Sequence, residues 1–399
     1  GWRRGLKTHV ARLAVVMIRV DNTPRDYAWG STTAIAHLRG VKPSGAPEAE
    51  LWLGTHPGSP TRIVGSQVGE PQTIAELLGA RGEQPLPYLL KILAAAHPLS
   101  IQAHPSPEQA REGFARENAA GIPLDAAHRN YRDDAHKPEL IVALSPRFDA
   151  LCGFRPIEKT LKQLELVALA NDATEGTSVA IRSFMARLQS EGDMAIEWAL
   201  NWVLGSGEAG DLVAEVARGG VLLDDELLTE LAEDYPGDPG IVIALLLNHV
   251  SLHRGQALYL PAGNMHAYIR GLGMELMAAS DNVLRGGLTA KHVDVDELLS
   301  VVIPTVLPIP LLEPLTPTPG LELFRPDVPD FELARVTGDI DSSYSLDLTR
   351  PAIAVCTEGS MTLHGGTSNI TLDRGEICLI LAEENNLRFA GSGELFVAI

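Results

Sequence analysis

Apolar and polar positions follow two different periods along the chain. In residues 99–105, Ile101 and Ala103 alternate with Ser100, Gln102 and His104, the pattern of a half-buried strand. Residues 50–58 read as a strand ending in a tight turn, and 88–93 as a buried strand carrying a single cation, Lys91. Thr73 followed by Glu76 predicts a capped short helix, and 107–118 is a charged, helix-compatible run. From Pro156 the period lengthens. Ile157, Leu161, Leu164 and Ala168 recur at helical spacing, as do Ile181, Phe184, Met185 and Leu188, then Ile196, Ala199, Leu200 and Val203. A further short helix is predicted at 227–232. Strand-like sequence returns at Ile241 and runs through 255–261 to His266. Six prolines between Pro304 and Pro319 mark a linker. Beyond it, 331–336, 344–348, 352–355, 361–363, 377–381 and 395–397 predict the short strands of a small sandwich or jelly roll.

These elements imply a mainly β protein with a helical insertion. Residues 17–155 and 236–303 form one β unit, 156–235 the helical insertion, 304–320 the linker and 321–399 a second β unit. Residues 1–16 open with Gly1-Trp2-Arg3-Arg4 and read as an N-terminal extension, with Met17 an alternative beginning. The 399 residues suffice for two or three domains. A formal charge of −19 excludes nucleic acid and anionic membrane as main partners, and makes any phosphorylated ligand depend on a local cluster of cations. Three scattered cysteines, Cys152, Cys356 and Cys378, predict neither a disulfide framework nor a thiolate zinc site and fit a reducing, cytoplasmic setting. The longest apolar runs, such as 241–247, fall far short of the ~20 residues of a membrane span.

Three segments carry metal-ligand chemistry. On a strand, Gln102 and His104 point the same way, as do Lys137 and Glu139 in His136-Lys137-Pro138-Glu139. A third strand closes through Pro261-Ala262-Gly263-Asn264-Met265-His266. One amide, one carboxylate and two imidazoles form an N/O donor set suited to zinc, and the absence of thiolates points to an open, catalytic site. All three segments are predicted strand ends, where jelly-roll barrels open and bind ligands. The Pro-x-Gly-x-x-His closure resembles that of the cupin barrel.

Together with Tyr27-Ala28-Trp29-Gly30-Ser31, Glu50-Leu51-Trp52-Leu53-Gly54-Thr55-His56-Pro57 and Ser280-Asp281-Asn282-Val283-Leu284-Arg285-Gly286-Gly287-Leu288-Thr289, these motifs resemble type I mannose-6-phosphate isomerase, in the family's order across residues 22–292. The resemblance implies two cupin-type jelly rolls plus an α-helical domain, with one Zn2+ held by Gln102, His104, Glu139 and His266. It implies interconversion of mannose 6-phosphate and fructose 6-phosphate through an enediol, supplying mannose 6-phosphate for mannose activation and glycan synthesis. Arg285 resembles the family's active-site arginine and would stabilise the enediolate. Gly286-Gly287 stands where family members often carry a bulkier pair.

The reaction needs a group to carry a proton between C2 and C1, for which Glu275 and Lys137 are the candidates. Asp281 is expected to assist ring opening. Ser100, Lys91 and Lys291 are candidates for the phosphate, and Glu50, His56 and Tyr268 for the pocket lining. The second jelly roll offers only His364 and is expected to be non-catalytic, and the protein a monomer. Two rival readings are another metal-dependent cupin enzyme and a non-catalytic sugar-phosphate-binding cupin.

Overall fold

The computed structural model describes residues 16–174, 176–341 and 344–399. All of the expected N-terminal extension except Val16 lies outside them. The chain forms two nine-stranded antiparallel sheet systems and a helical layer. The architecture is mainly β, in agreement with the sequence pattern.

One strand, His266–Ala278, builds the first barrel. Its start pairs with Gln102–Ala103 and Phe148–Phe154, and its end with Tyr88–Ala95 and Glu139–Ala143. The register shifts between Tyr268 and Arg270, and Gly271, crowded against Phe148, takes φ +123° in the region open to glycine. The shift changes the parity of the strand. Before it, Ala267 and Ile269 pack outward on the helices while Tyr268 faces in. After it, Met274 and Leu276 pack outward on the second sheet while Glu275 faces in. Strict alternation would have put Tyr268 and Glu275 on opposite faces; the bulge puts them on one.

Both outer faces of this barrel are covered. Leu51, Leu90, Ile92 and Val142 share a core with Phe324, Ile353, Val355 and Phe396 of the C-terminal sheet. Leu151, Phe154, Ala267 and Ile269 share another with the helices. This is why Tyr88–Ala95 is buried along its whole length rather than at alternate positions.

Helices occupy Ile157–Asp172, Val179–Glu191, Ala195–Gly205, Gly210–Leu222 and Glu226–Asp234, so the helical period read after Pro156 does form helices. Two capped helices also form as read: Thr73 Oγ1 accepts the Glu76 N–H, and Ser106 with Gln109 closes a capping box on Pro107–Ala119. Several details differ from the sequence reading. Residues 240–244 are a helix after Pro239, and the strand begins only at Leu247; a continuous apolar run does not by its period distinguish a buried strand from a buried helix. The proline-rich stretch contains a strand, Leu315–Thr318, and bridges Phe154 at Val306 and Leu258 at Leu311. Residues 352–364 are one strand rather than two, and 344–348 contributes only an isolated bridge at Leu346. Met17–Asp21 pairs with Ile377–Ile380, so the chain's first described strand belongs to the C-terminal sheet and not to the barrel that follows it. Among the described residues no helix is long and apolar enough to cross a membrane.

Candidate active site

The barrel mouth brings His104, Glu139 and His266 together. One ligand atom from each lies within 4.8 Å of the others, and all three residues are buried. Glu139 stands between the imidazoles, with Oε1 3.2 Å from His104 Nε2 and Oε2 3.0 Å from His266 Nε2. The far nitrogens are engaged: His104 Nδ1–H donates to the Asn282 carbonyl (2.8 Å) and His266 Nδ1–H to the Asn264 carbonyl (2.9 Å). These bonds hold both rings in place with each Nε2 facing inward.

The fit to a metal can be read from one atom. His104 Nε2 is buried and, although close to Glu139, lacks hydrogen-bond geometry to any partner. Burial, outweighing the attraction of Glu139, pushes the imidazole down to about 4, so at neutral pH the nitrogen carries a lone pair facing a carboxylate. Burial alone would raise Glu139, but His104 and Lys137 hold its carboxyl well below the ordinary glutamate range. An unsatisfied imidazole nitrogen, a second imidazole and an anion converging on one point are the environment a divalent cation satisfies. Gln102 lies opposite His266 on one neighbouring strand and opposite Arg285 on the other, so its amide rises from the same face. Three of the four expected zinc ligands are thus brought to one place, and the fourth, Gln102, pairs in register with His266.

A row of polar residues crosses the barrel floor beside them. Register pairs Trp52 with Lys91 and Lys91 with Glu275 on three adjacent strands. Lys91 Nζ lies 3.6 Å from both Glu50 and Glu275 and 5.0 Å from the Trp52 ring centre, while the Trp52 indole N–H donates to Glu50 (2.7 Å). Burial disfavours the Lys91 charge, but the carboxylates Glu50, Glu275 and Glu139 outweigh it and hold the ammonium above the usual lysine range. Lys91, expected on the phosphate, is thus committed to two buried carboxylates. Glu275 accepts the Tyr268 hydroxyl (3.0 Å), and burial, only partly offset by Lys91, raises it to about 7. Burial and the neighbouring Glu275 push Tyr268 well above the ordinary tyrosine range. Lys137 Nζ reaches Glu139 at 3.2 Å. At the rim, His56 Nε2 pairs with Asp281 at 2.9 Å, and that hydrogen bond depresses the Asp281 carboxyl.

Cations gather on the other side of the metal-ligand group. Arg285 and Lys291 are both depressed by burial and by neighbouring cations, with Arg132 acting on both. Among the described residues none of the three has a carboxylate partner, in a chain of net charge −19. Ser100 is half-buried next to Ile101, which is stitched to the same segment by Ile101 N–H to Gly287 O and Gly286 N–H to Ile101 O. Arg132 was not singled out from the sequence. It stands beside Asp133 and Asp134 in a polar loop, where it reads as part of a solvated charge run; only the fold brings its charge within reach of Arg285 and Lys291, with the guanidinium donating to the Leu124 carbonyl (3.0 Å). His136, from the same motif as Glu139, turns away and binds Asp330 (2.8 Å).

Comparison with known proteins agrees with this geometry. The sequence profile of the phosphomannose isomerase type I catalytic domain matches residues 17–157. Mannose-6-phosphate isomerase of Shigella flexneri is 38% identical, with 95% of this chain and 98% of that protein covered. The human mannose-6-phosphate isomerase is 31% identical over 90% of this chain and 92% of its own. A zinc-bound crystal structure of mannose 6-phosphate isomerase superposes with a TM-score of 0.80 at 34% identity, covering 96% of this chain and 99% of that one. A variant phosphomannose isomerase from Salmonella typhimurium superposes with a TM-score of 0.81, again at 34% identity and with the same coverage. Motif order, barrel geometry and near full-length similarity converge, and the chain belongs to the type I phosphomannose isomerase family.

Proposed function

We propose that this chain is a zinc-dependent mannose-6-phosphate isomerase that interconverts mannose 6-phosphate and fructose 6-phosphate. The observation that carries this reading is the buried His104–Glu139–His266 group, with Gln102 paired to His266 on one side and Arg285 on the other, and with the buried Glu275 carboxyl of raised pKa on the same strand as His266. Aldose–ketose isomerisation needs these three features: a place for the C1 and C2 oxygens, a proton carrier, and a grip on phosphate.

Gln102, His104, Glu139 and His266 hold the zinc, which when bound polarises the sugar oxygens and favours negative charge on them. The His56–Asp281 pair, at the exposed rim, handles the ring-opening proton between O5 and O1. Glu275 takes the C2 proton and returns it to C1. A carboxyl that titrates near 7 serves both as base and as acid, and Tyr268 and Lys91 hold it in place. Lys137 remains the alternative carrier, but its ammonium lies against Glu139. Arg285, rising beside Gln102, places its guanidinium against the developing enediolate. Arg132, Lys291 and Ser100 receive the phosphate.

Three buried free thiols support a reducing cytoplasm. The C-terminal sheet supports the barrel without chemistry of its own. A coupled assay for fructose 6-phosphate, before and after chelation and zinc return, tests the reading. Turnover that survives chelation sinks it, as does a zinc-loaded chain with none.

A further inference from the structure

Two loops meet behind the site through hydrogen bonds that none of the roles above uses. Asn282 is fully buried, and its side chain is saturated. Its Oδ1 accepts the backbone N–H groups of Arg132 (2.7 Å) and Asp133 (3.2 Å), and its Nδ2 donates to the carbonyls of Asp133 and Ala135, both at 2.8 Å. Asp133 reciprocates: Oδ1 accepts from Ser280 Oγ (2.8 Å) and Asn282 Nδ2 (3.1 Å), and Oδ2 accepts the Asp281 N–H (2.8 Å). Segments about 150 residues apart in sequence are thereby locked together.

Functional groups hang from both halves of the lock. The Asn282 carbonyl takes the His104 Nδ1–H, Asp281 carries the bond to His56, and Arg285 follows three residues later. On the facing loop, Arg132 precedes Asp133, and Lys137 and Glu139 follow Ala135. The lock also solves an electrostatic problem. Asp133 is adjacent to Arg132 in sequence, yet its carboxylate is engaged by N–H and O–H donors from 280–282 and by the Ala135 N–H, and the Arg132 guanidinium, which donates to the Leu124 carbonyl (3.0 Å), has no carboxylate partner among the described residues.

We infer that Asn282 and Asp133 form a clasp that positions the His104 imidazole for the metal and the Arg132 guanidinium for the substrate anion, making both positioning residues for the reaction. The inference rests on the functional reading above. Its consequence is that loosening the clasp harms both ends of the site together, without touching a metal ligand or a substrate contact.

Asp133→Asn, the milder change, puts an amide donor against a donor; Asn282→Ala removes the other half. In the full-length chain, competition with a chromogenic chelator reads zinc affinity, and steady-state assays read KM for mannose 6-phosphate and kcat. Zinc affinity is expected to fall by about 10- to 100-fold, with KM raised several-fold, while circular dichroism shows the native fold. If Asn282→Ala does not fold, Asp133→Asn decides. A folded Asp133→Asn variant with zinc affinity and KM both within twofold of the parent overturns the inference, as does one that is merely less heat-stable. A parent chain that neither retains zinc nor isomerises mannose 6-phosphate overturns the functional reading and the clasp with it.

Discussion

Two 13-residue strands, His266–Ala278 and Ala352–His364, hold corresponding places in the two β units. Each is a centre of its sheet and each contains a register shift, between Tyr268 and Arg270 in the first and between Cys356 and Glu358 in the second. Their interiors differ. The first turns His266, Tyr268 and Glu275 into the barrel; the second buries Ala352, Ile353, Ala354, Val355 and Cys356. Buried carboxylates exist in both units, but their surroundings are unlike. Glu394 is saturated by Thr357, Arg335 and Arg254, and Glu384 caps the Thr367–Ser368 turn. Around Glu139 the neighbouring nitrogen of His104 stays unsatisfied. The unmet polar demand lies at the metal-ligand group, whereas the saturated carboxylates of the C-terminal unit hold structure.

The largest expected effect comes from removing that demand. His104→Ala should lower kcat/KM by roughly 10³-fold or more and abolish zinc retention, the loss of several kcal/mol of transition-state stabilisation; His364→Ala, on the exposed end of the other strand, should stay within twofold. Arg285→Ala should cost on the order of 10²–10³ in kcat with zinc content unchanged, as for loss of one donor to a developing oxyanion. Arg335→Ala in the C-terminal unit should do the reverse: a fall in Tm of roughly 5 °C or more from stripping one partner from buried Glu394, with activity per folded molecule preserved. Comparable losses of activity from both arginines would erase the distinction between the units.

The pH profile sharpens the comparison further. Glu275 must be ionised to accept the C2 proton, and its carboxyl titrates near 7, so kcat should fall as pH drops through about 7. Glu275→Gln should abolish most turnover and remove that limb from whatever activity remains. An unchanged limb in this variant would shift the proton-carrying role to Lys137. The smallest effect is expected at Arg132→Ala, with KM for mannose 6-phosphate raised about tenfold, as for one charge-assisted hydrogen bond, and kcat nearly constant. A KM independent of this residue and of ionic strength would place the phosphate elsewhere.

Much of the site was legible from residue types on alternating positions. Gln102 with His104, Glu139 after Lys137, and His266 after a glycine turn announce themselves locally, because a strand's period and a ligand's chemistry are both local properties. The helical insertion was visible for the same reason. What alternation could not show is the bulge after Tyr268, which sets Tyr268 and Glu275 on one face, or the pairing of Lys91 with two carboxylates. Nor could it show Arg132 among the cations, or Met17–Asp21 crossing into the distant sheet.

The chain's own order of residues thus determined the donor set, the class of chemistry and the alternation of strand and helix. The tertiary structure alone decided which charges neutralise each other and which stay free. Pairing depends on separations of a few ångströms between segments more than a hundred residues apart, and Coulomb and hydrogen-bond energies fall away over that same range.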